Sequence, residues 1–258
     1  MDYLLMKNLN TTDRIKNIAY PLATFIGLII LWELAVDRFS IPSYILPSPR
    51  DIYLEFVNDW QVLAMHSRVT LEETVIGLSL SVLISLFIGM IMDFVPFIKK
   101  CFHPIMYVTQ MIPTITIAPL LVIWFGFGIK SKVICVILTC FFPMLINFMD
   151  GMDSIDRDLI NLFKIMKAKR LKTFIHLKFP MAMDKFFTGL KISSTYAFIA
   201  ATVAEWLGGS AGLGVYMVRA KSSYALDKVF ACTILVVLFS LLFVGLISIL
   251  KKVFIKWR

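Results

Sequence analysis

The chain has 258 residues, of which 59% are hydrophobic, and it has a mean hydropathy of +0.82 and a net charge of +9. Soluble domains use roughly 45–50% apolar residues, so this composition excludes an ordinary water-soluble fold and indicates an integral membrane protein. Lys and Arg flank the apolar runs, which accounts for the positive charge without nucleic-acid binding.

Six apolar runs are candidates for membrane spans, because a helix needs about 20 apolar residues to cross a hydrocarbon core about 30 Å thick. In chain order they are residues 18–36, 74–92, 105–128, 133–149, 186–207 and 229–250. The fifth run is the weakest, since Lys191 and Glu205 interrupt it near its ends. The sequence therefore predicts an all-α membrane protein of about six transmembrane helices, forming a single domain over residues 1–258.

The orientation follows from the basic residues, because cytoplasmic loops carry an excess of Lys and Arg. Of the 26 basic residues, 18 lie before the first run, at Lys99 and Lys100, between residues 157 and 191, or after residue 250. These segments fall on one side of a six-span topology. We therefore expect both termini and the loop at residues 150–180 to be cytoplasmic.

Two segments depart from a plain helical bundle. A proline-rich stretch at residues 41–49 precedes an amphipathic segment, which indicates either a short helix on the outer membrane face or a mere connector. The third run contains Pro113 and Pro119, with Thr114 and Thr116 between them. Broken backbone at membrane depth is tolerated beside other helices or a water-filled cavity, so this run is either a pathway wall or a packing kink.

The predicted pathway combines hydroxyls, a thioether and prolines, with one buried acid. Its residues are Met111, Pro113, Thr114, Thr116 and Pro119 from the third run, and Tyr196, Thr202 and Glu205 from the fifth. Acids inside a membrane are costly and often functional, although Glu73 and Glu205 could equally reach the interface.

The loop at residues 150–180 contains apolar residues at helical spacing: Ile155, Leu159, Leu162, Phe163 and Met166. Aspartates begin this segment and lysines end it, as the helix dipole favours. A second apolar group at residues 171–175 follows. The loop is predicted to be a helix pair that lies on the membrane or fits a groove of a partner protein.

The sequence resembles the permease subunits of type I ABC importers, in the family that handles nitrate, sulfonates, taurine and thiamine-precursor pyrimidines. The resemblance covers nearly the whole chain and is based on eight short segments. In chain order they are Leu46-Pro47-Ser48-Pro49, Ile112-Pro113, Ala118-Pro119-Leu120-Leu121, Trp124-Phe125-Gly126-Phe127-Gly128, Ser131-Lys132, Phe141-Phe142-Pro143, Val203-Ala204-Glu205-Trp206-Leu207-Gly208-Gly209 and Gly212-Leu213-Gly214. The last two segments look like the family's outer loop between its final spans.

The inner loop is similar to the family's coupling motif, which reads Glu-Ala-Ala, three residues, Gly, nine residues and Ile-x-Leu-Pro. Leu177-Lys178-Phe179-Pro180 keeps the ending, whereas Asn161-Leu162-Phe163 and Lys167 replace the Glu-Ala-Ala and the glycine. Lysine has a steric cost in a left-handed turn that glycine avoids. The residues implied to couple to an ATPase are Asn161, Leu162, Phe163, Lys164, Met166, Lys167, Ala168, Leu177, Phe179 and Pro180.

The resemblance implies a non-catalytic subunit of the bacterial inner membrane. Its implied partners are a second copy, two cytoplasmic ATPase subunits and an extracytoplasmic solute-binding protein. The sequence contains no phosphate-binding loop, so we expect ATP and Mg²⁺ on the partner subunits. Cys and His show no metal-ligand spacing, and no cofactor or metal is expected on this chain.

The substrate is the least determined feature. The predicted pathway contains no Lys or Arg, and Lys191 lies at its inner end, which favours a neutral heterocycle such as a thiamine-precursor pyrimidine over a sulfonate, taurine or nitrate. A secondary transporter is the less favoured alternative, because such proteins commonly contain broken helices in both of two related halves.

Overall fold

The computed structural model describes residues 11–255, with side chains from residue 19 onward, and this part of the chain is entirely helical apart from its connections. The helices are α1 (Thr11–Arg38), α2 (Pro49–Asn58), α3 (Trp60–Phe94), α4 (Pro96–Gln110), α5 (Thr114–Phe125), α6 (Ile129–Asp153), α7 (Arg157–Ile165), α8 (Arg170–Thr173), α9 (Phe179–Trp206), α10 (Leu213–Ser222) and α11 (Leu226–Phe254). A π-helical turn, Phe174–Lys178, joins α8 to α9. The predicted cytoplasmic termini concern residues 1–10 and 256–258, which lie outside the described part.

The helices fall into two compact units. Unit 1 comprises the described residues of Met1–Trp60 together with Ala220–Ala231, and unit 2 comprises those of Gln61–Arg219 and Cys232–Arg258. The single domain over the whole chain stays a prediction.

Unit 1 contains the amphipathic segment as a helix, α2. It begins with a capping box, in which the Ser48 hydroxyl accepts from the Asp51 N–H and the Asp51 carboxylate accepts from the Ser48 N–H. Lys228 lies 2.5 Å from Asp59 and 3.4 Å from Glu55, which joins α2 to the start of α11. Burial raises the pKa of the Glu55 carboxyl, and the Lys228 ammonium opposes that rise.

Unit 2 is built on the close packing of α6 against α9. A methyl group added at Gly151 would lie 2.8 Å from the Ala182 Cα, so the two backbones nearly touch there. Small residues at such crossings are typical of membrane helices, where association depends on close packing rather than on hydrophobic burial. Phe148 is fully buried beside this crossing, with its ring centroid 5.8 Å from that of Phe186.

The third predicted span is broken at Pro113, the first of its two prolines. It consists of α4 and α5, which meet at 101° across residues 111–113. Pro113 has no N–H to donate and disfavours helical backbone at Ile112, so the helix ends before it. Pro119 lies inside α5 without ending that helix.

The fifth predicted span differs from the others in composition. Four helices, α1, α3, α6 and α11, are long and apolar enough to cross a membrane, and the bent pair would be a fifth. The fifth predicted run lies in α9, which has 28 residues and is not among them. Half of the residues of α9 are buried, including Ser193, Ser194 and Thr202. Because α9 packs against protein, it contains polar residues and is therefore less apolar than the four helices above. The predicted number of about six transmembrane helices is reached only if α9 also crosses the membrane.

Candidate functional site

The loop predicted to couple to an ATPase folds as a helix and a tight turn, here called the coupling turn (residues 154–178). The Asp156 carboxylate caps α7 by accepting from the Asp158 N–H at 3.0 Å. At the other end of α7, the Lys167 N–H donates to the Lys164 carbonyl and the Ala168 N–H donates to that of Phe163, at 2.9 and 3.0 Å. This is a Schellman motif, and its C′ residue, Lys167, has φ +53. Lys167, which stands at the family's glycine position, therefore adopts the left-handed conformation in which lysine has a steric cost.

Exposure separates the predicted coupling residues into two groups. Asn161, Leu162, Lys164, Met166 and Lys167 are exposed, whereas Phe163 and Ala168 are half-buried. Leu177 is buried, and Phe179 and Pro180 are half-buried, so these three residues pack inside unit 2. They therefore attach the turn to unit 2, and their part in coupling stays a prediction.

The most exposed apolar side chain in the turn was not predicted as a site residue. Ile165 is 78% exposed and Met166 is 69% exposed, at the C-terminal end of α7. Together with Leu162 they form an uncovered apolar ridge. Ile165 does not share the spacing of the predicted stripe, which is why that pattern missed it.

Charged groups fasten the coupling turn to the ends of the neighbouring helices. The Lys178 ammonium lies 2.5 Å from the Asp93 carboxylate, and the Arg170 guanidinium donates to the Asp93 carbonyl at 2.5 Å. Arg170 also lies over the Phe94 ring, 5.3 Å from its centroid, and Lys99 pairs with Asp153. The Lys178 and Asp93 pair spans 85 residues, so no local sequence pattern predicts it.

The turn is also continuous with a span. The Phe179 N–H donates to the Phe174 carbonyl, five residues back, and this π-helical bond carries the helix from α8 into α9 without a break. Phe174 is buried, with its ring 5.4 Å from that of Phe94. A displacement of the turn is therefore transmitted directly to α9.

A cavity of about 380 Å³ lies where α4 and α5 meet, against α6 and α9. Four predicted pathway residues line it, namely Met111, Pro113, Thr114 and Tyr196. The remaining lining residues are Thr109, Gln110, Ile112, Ile117, Cys135, Leu138, Thr139, Phe142 and Pro143. The Thr114 and Thr139 hydroxyls are 3.2 Å apart across its wall. None of these described lining residues is charged, so the cavity offers hydroxyls, one amide and two aromatic rings.

The other four predicted pathway residues lie away from this cavity. The exposed Thr116 hydroxyl donates to the Pro113 carbonyl at 2.7 Å, and Pro119 is half-buried within α5. The buried Thr202 hydroxyl donates to the Phe198 carbonyl at 2.8 Å inside α9. Glu205 is buried in a separate polar cluster at the end of α9. Their part in a pathway stays a prediction.

A helical membrane chain with a bent helix pair, an uncharged polar cavity and an exposed turn continuous with the buried helix α9 has the features expected of a membrane permease. The family described as "Binding-protein-dependent transport system inner membrane component" matches residues 81–256, and the chain belongs to this family. It is the permease of an ABC importer.

Relatives and solved structures agree with this assignment. A probable ABC transporter permease protein of Haemophilus influenzae is 34% identical over 221 residues, which is 86% of this chain and 90% of that protein. The formylaminopyrimidine transport permease protein ThiX of Halalkalibacterium halodurans is 33% identical over 239 residues, 92% of this chain and 95% of that protein. A chain in the crystal structure of an amino acid ABC transporter with histidines has a TM-score of 0.65 at 15% identity, covering 77% of this chain and 97% of its own. That likeness concerns the fold alone.

Proposed function

We propose that this permease imports a small neutral heterocycle of the formylaminopyrimidine class. The observation that carries the proposal is the uncharged cavity at the bend between α4 and α5. A volume of about 380 Å³ is suited to a small planar solute, and the Phe142 and Tyr196 rings offer faces for stacking. The Gln110 amide and the Thr114 and Thr139 hydroxyls offer both donors and acceptors.

The runner-up substrates, a sulfonate, taurine or nitrate, would fit this cavity less well. An anion in a low-dielectric site is heavily penalised unless a positive group or several donors compensate it. The described lining residues supply no such charge. The formylaminopyrimidine relative at 33% identity supports the same choice.

The proposal places the chain in a complex. It acts as a homodimer in the bacterial inner membrane, with both termini and the coupling turn in the cytoplasm, two ATPase subunits against the turns and a solute-binding protein outside. ATP and Mg²⁺ belong to the ATPase subunits, and this chain is non-catalytic. The exposed ridge at Leu162, Ile165 and Met166 supports the turn as the docking element, because large apolar anchors carry most of an interface's binding energy.

Transport by the reconstituted complex tests the substrate. Permease, ATPase and binding protein in proteoliposomes should take up labelled formylaminopyrimidine with ATP, and an aliphatic sulfonate or taurine should not compete. Tyr196→Phe keeps the ring and should retain uptake, whereas Tyr196→Ala removes the stacking face and should lower uptake about tenfold. Uptake of sulfonate without uptake of the pyrimidine would show that the charge argument failed.

The docking element is tested separately by Met166→Asp and its matched control Met166→Leu. Desolvating a carboxylate in an apolar groove is costly, so Met166→Asp should release the ATPase subunits on size-exclusion chromatography, while Met166→Leu should retain them. A complex that stays assembled and coupled after Met166→Asp would exclude the ridge as the contact.

A further inference from the structure

A buried polar cluster lies at the end of α9, beyond the segments assigned above. Glu205 is 1% exposed, and one carboxylate oxygen accepts from the Thr70 hydroxyl at 2.7 Å while the other accepts from the Gly214 N–H at 2.6 Å. The Leu213 N–H donates to the same Thr70 hydroxyl at 2.9 Å. Glu205 and Thr70 therefore bind the first amides of α10 and hold them against α3.

The loop after α9 is shaped around this carboxylate. Gly212 has φ +123, and any side chain there would collide with the Glu205 carboxyl group. A methyl group at Gly214 would lie 2.9 Å from the Glu205 Cβ. The Gly212 N–H donates to His66 Nδ1 at 3.0 Å, so His66 accepts at that nitrogen and is neutral in this arrangement. The glycines at these positions allow the chain to wrap closely around Glu205.

A second acid, Glu73, lies beside Glu205. It is 3% exposed, and it lies one turn along α3 from Thr70, the residue whose hydroxyl donates to Glu205, so the two acids face the same buried cluster. Two carboxylates cannot hydrogen bond to each other without a proton, because each is then an acceptor only. The Glu73 Oε2 is buried without a hydrogen-bond partner, which an ionised carboxylate in an apolar setting would tolerate poorly.

The balance of charges also indicates that one of the two acids carries a proton. Lys132 is buried at the same loop, because a methyl group at Gly209 would lie 3.2 Å from its ammonium, which donates to the Phe127 carbonyl and, at 3.2 Å, to that of Gly128. One ammonium balances one carboxylate, so ionising both acids would leave a buried net negative charge. Glu72 and Arg219 also face the cluster, but both are exposed and screened by solvent.

We propose that Glu73 and Glu205 form a proton-binding site, in which Glu73 carries one proton and donates it to an ionised Glu205. Glu205 is then a positioning residue, because its negative charge holds the loop and the first turn of α10 on α3. The site lies at the opposite end of α9 from the coupling turn. A movement of α9 must therefore carry this loop with it or break the bonds of Glu205.

Two isosteric substitutions separate the roles of the acids. Glu73→Gln keeps a neutral donor toward Glu205, so exchange of the Gly212, Leu213 and Gly214 amides with deuterium should stay within about twofold of wild type. Glu205→Gln removes the charge and replaces one accepting oxygen by an NH2 group, so the Thr70 hydroxyl and the Gly214 N–H can no longer both donate to this side chain, and the same exchange should rise about tenfold or more. Both are measured on purified full-length permease, and neither requires ATPase or solute, so the outcome is independent of the proposed substrate.

Infrared spectroscopy and pH provide readouts that a purely structural role would not change. The C=O stretch of a buried protonated carboxyl should be present in wild type and absent from Glu73→Gln. Raising the pH withdraws the proton and sets two negative charges together, so loop exchange in wild type should increase relative to Glu73→Gln at the same alkaline pH. Equal exchange in the two proteins at every pH would overturn the proton assignment.

A second pair of variants covers the case in which Glu205→Gln does not fold. Thr70→Val removes the hydroxyl at constant volume and should raise the exchange of the Leu213 amide, whereas Thr70→Ser keeps the hydroxyl and should not. The proposal is overturned if Glu73→Gln raises loop exchange as much as Glu205→Gln, or if neither Glu205→Gln nor Thr70→Val raises it.

Discussion

Replacing Gly151 by alanine should force α6 and α9 apart at the base of the coupling turn. The added methyl group would lie 2.8 Å from the Ala182 Cα and 2.9 Å from the Ala182 carbonyl oxygen, both of which are backbone atoms. Apolar contacts normally lie at about 3.5–4.0 Å, so one helix must move by roughly 1 Å. No rotamer change can relieve this contact.

The magnitude follows from two opposing effects. Overpacking of this kind costs about 1–3 kcal/mol. Alanine is better than glycine inside a helix by about 1 kcal/mol, so the net loss for Gly151→Ala is about 0–2 kcal/mol. Gly245 in α11 is the matched control, since a methyl group there has nothing within 4 Å. Gly245→Ala should show the helix gain without the collision, and the two variants should differ by about 1–3 kcal/mol.

Thermal unfolding in detergent measures this difference. For a chain of this size 1 kcal/mol corresponds to about 2–4 °C, so a 2 kcal/mol gap separates the two midpoints by about 4–8 °C. The buried Cys140, in α6, provides the signal through a thiol-reactive dye, since it becomes accessible when the α6 and α9 contact opens. Equal midpoints for Gly151→Ala and Gly245→Ala would refute the backbone contact as the feature that limits this position.

Substitutions at two further positions test the coupling turn and the core. Lys167→Val places a β-branched residue at the left-handed position and should lower stability by about 1–2 kcal/mol. Lys167→Gly should be neutral or stabilising, and equal unfolding midpoints for these two variants would contradict a strained turn. Phe148→Ala removes a fully buried ring and should cost about 3–5 kcal/mol in the same assay, and a loss below about 1 kcal/mol would show that the site collapses without a cavity.

The sequence predicted the features that depend on local patterns. Hydropathy located the apolar helices, and apolar residues at helical spacing between initial aspartates and terminal lysines located α7. The prolines located the break in the third span, but the 101° bend required the packing of two separate helices. Contacts between distant residues were not predictable, because neither Asp93 with Lys178 nor Thr70 with Glu205 leaves a pattern in a single chain.

Part of the cavity lining follows from local features of the sequence. Met111 and Thr114 adjoin the proline that breaks the helix, so their position at the cavity follows from local backbone chemistry. Thr139 and Phe142 belong to a plain apolar run, and their contribution follows from the side of α6 that faces the bend. Thr202 carries a hydroxyl of the predicted kind, but it donates within its own helix.

The π-helical turn at Phe174–Lys178 sets the angular relation between the two ends of one long helical run, Arg170 to Trp206. Each residue of a helix advances the side chains by about 100°, and a π turn accommodates one residue more than an α turn does. The residues before it are therefore out of phase with the buried face of α9. Converting this turn to α geometry with all its residues kept would rotate the exposed face of the coupling turn relative to α9 by roughly 100°, whereas deleting one residue at the same time would keep the two faces in register. The π-helical turn, and not the residues of the ridge, therefore sets the direction in which the docking ridge faces.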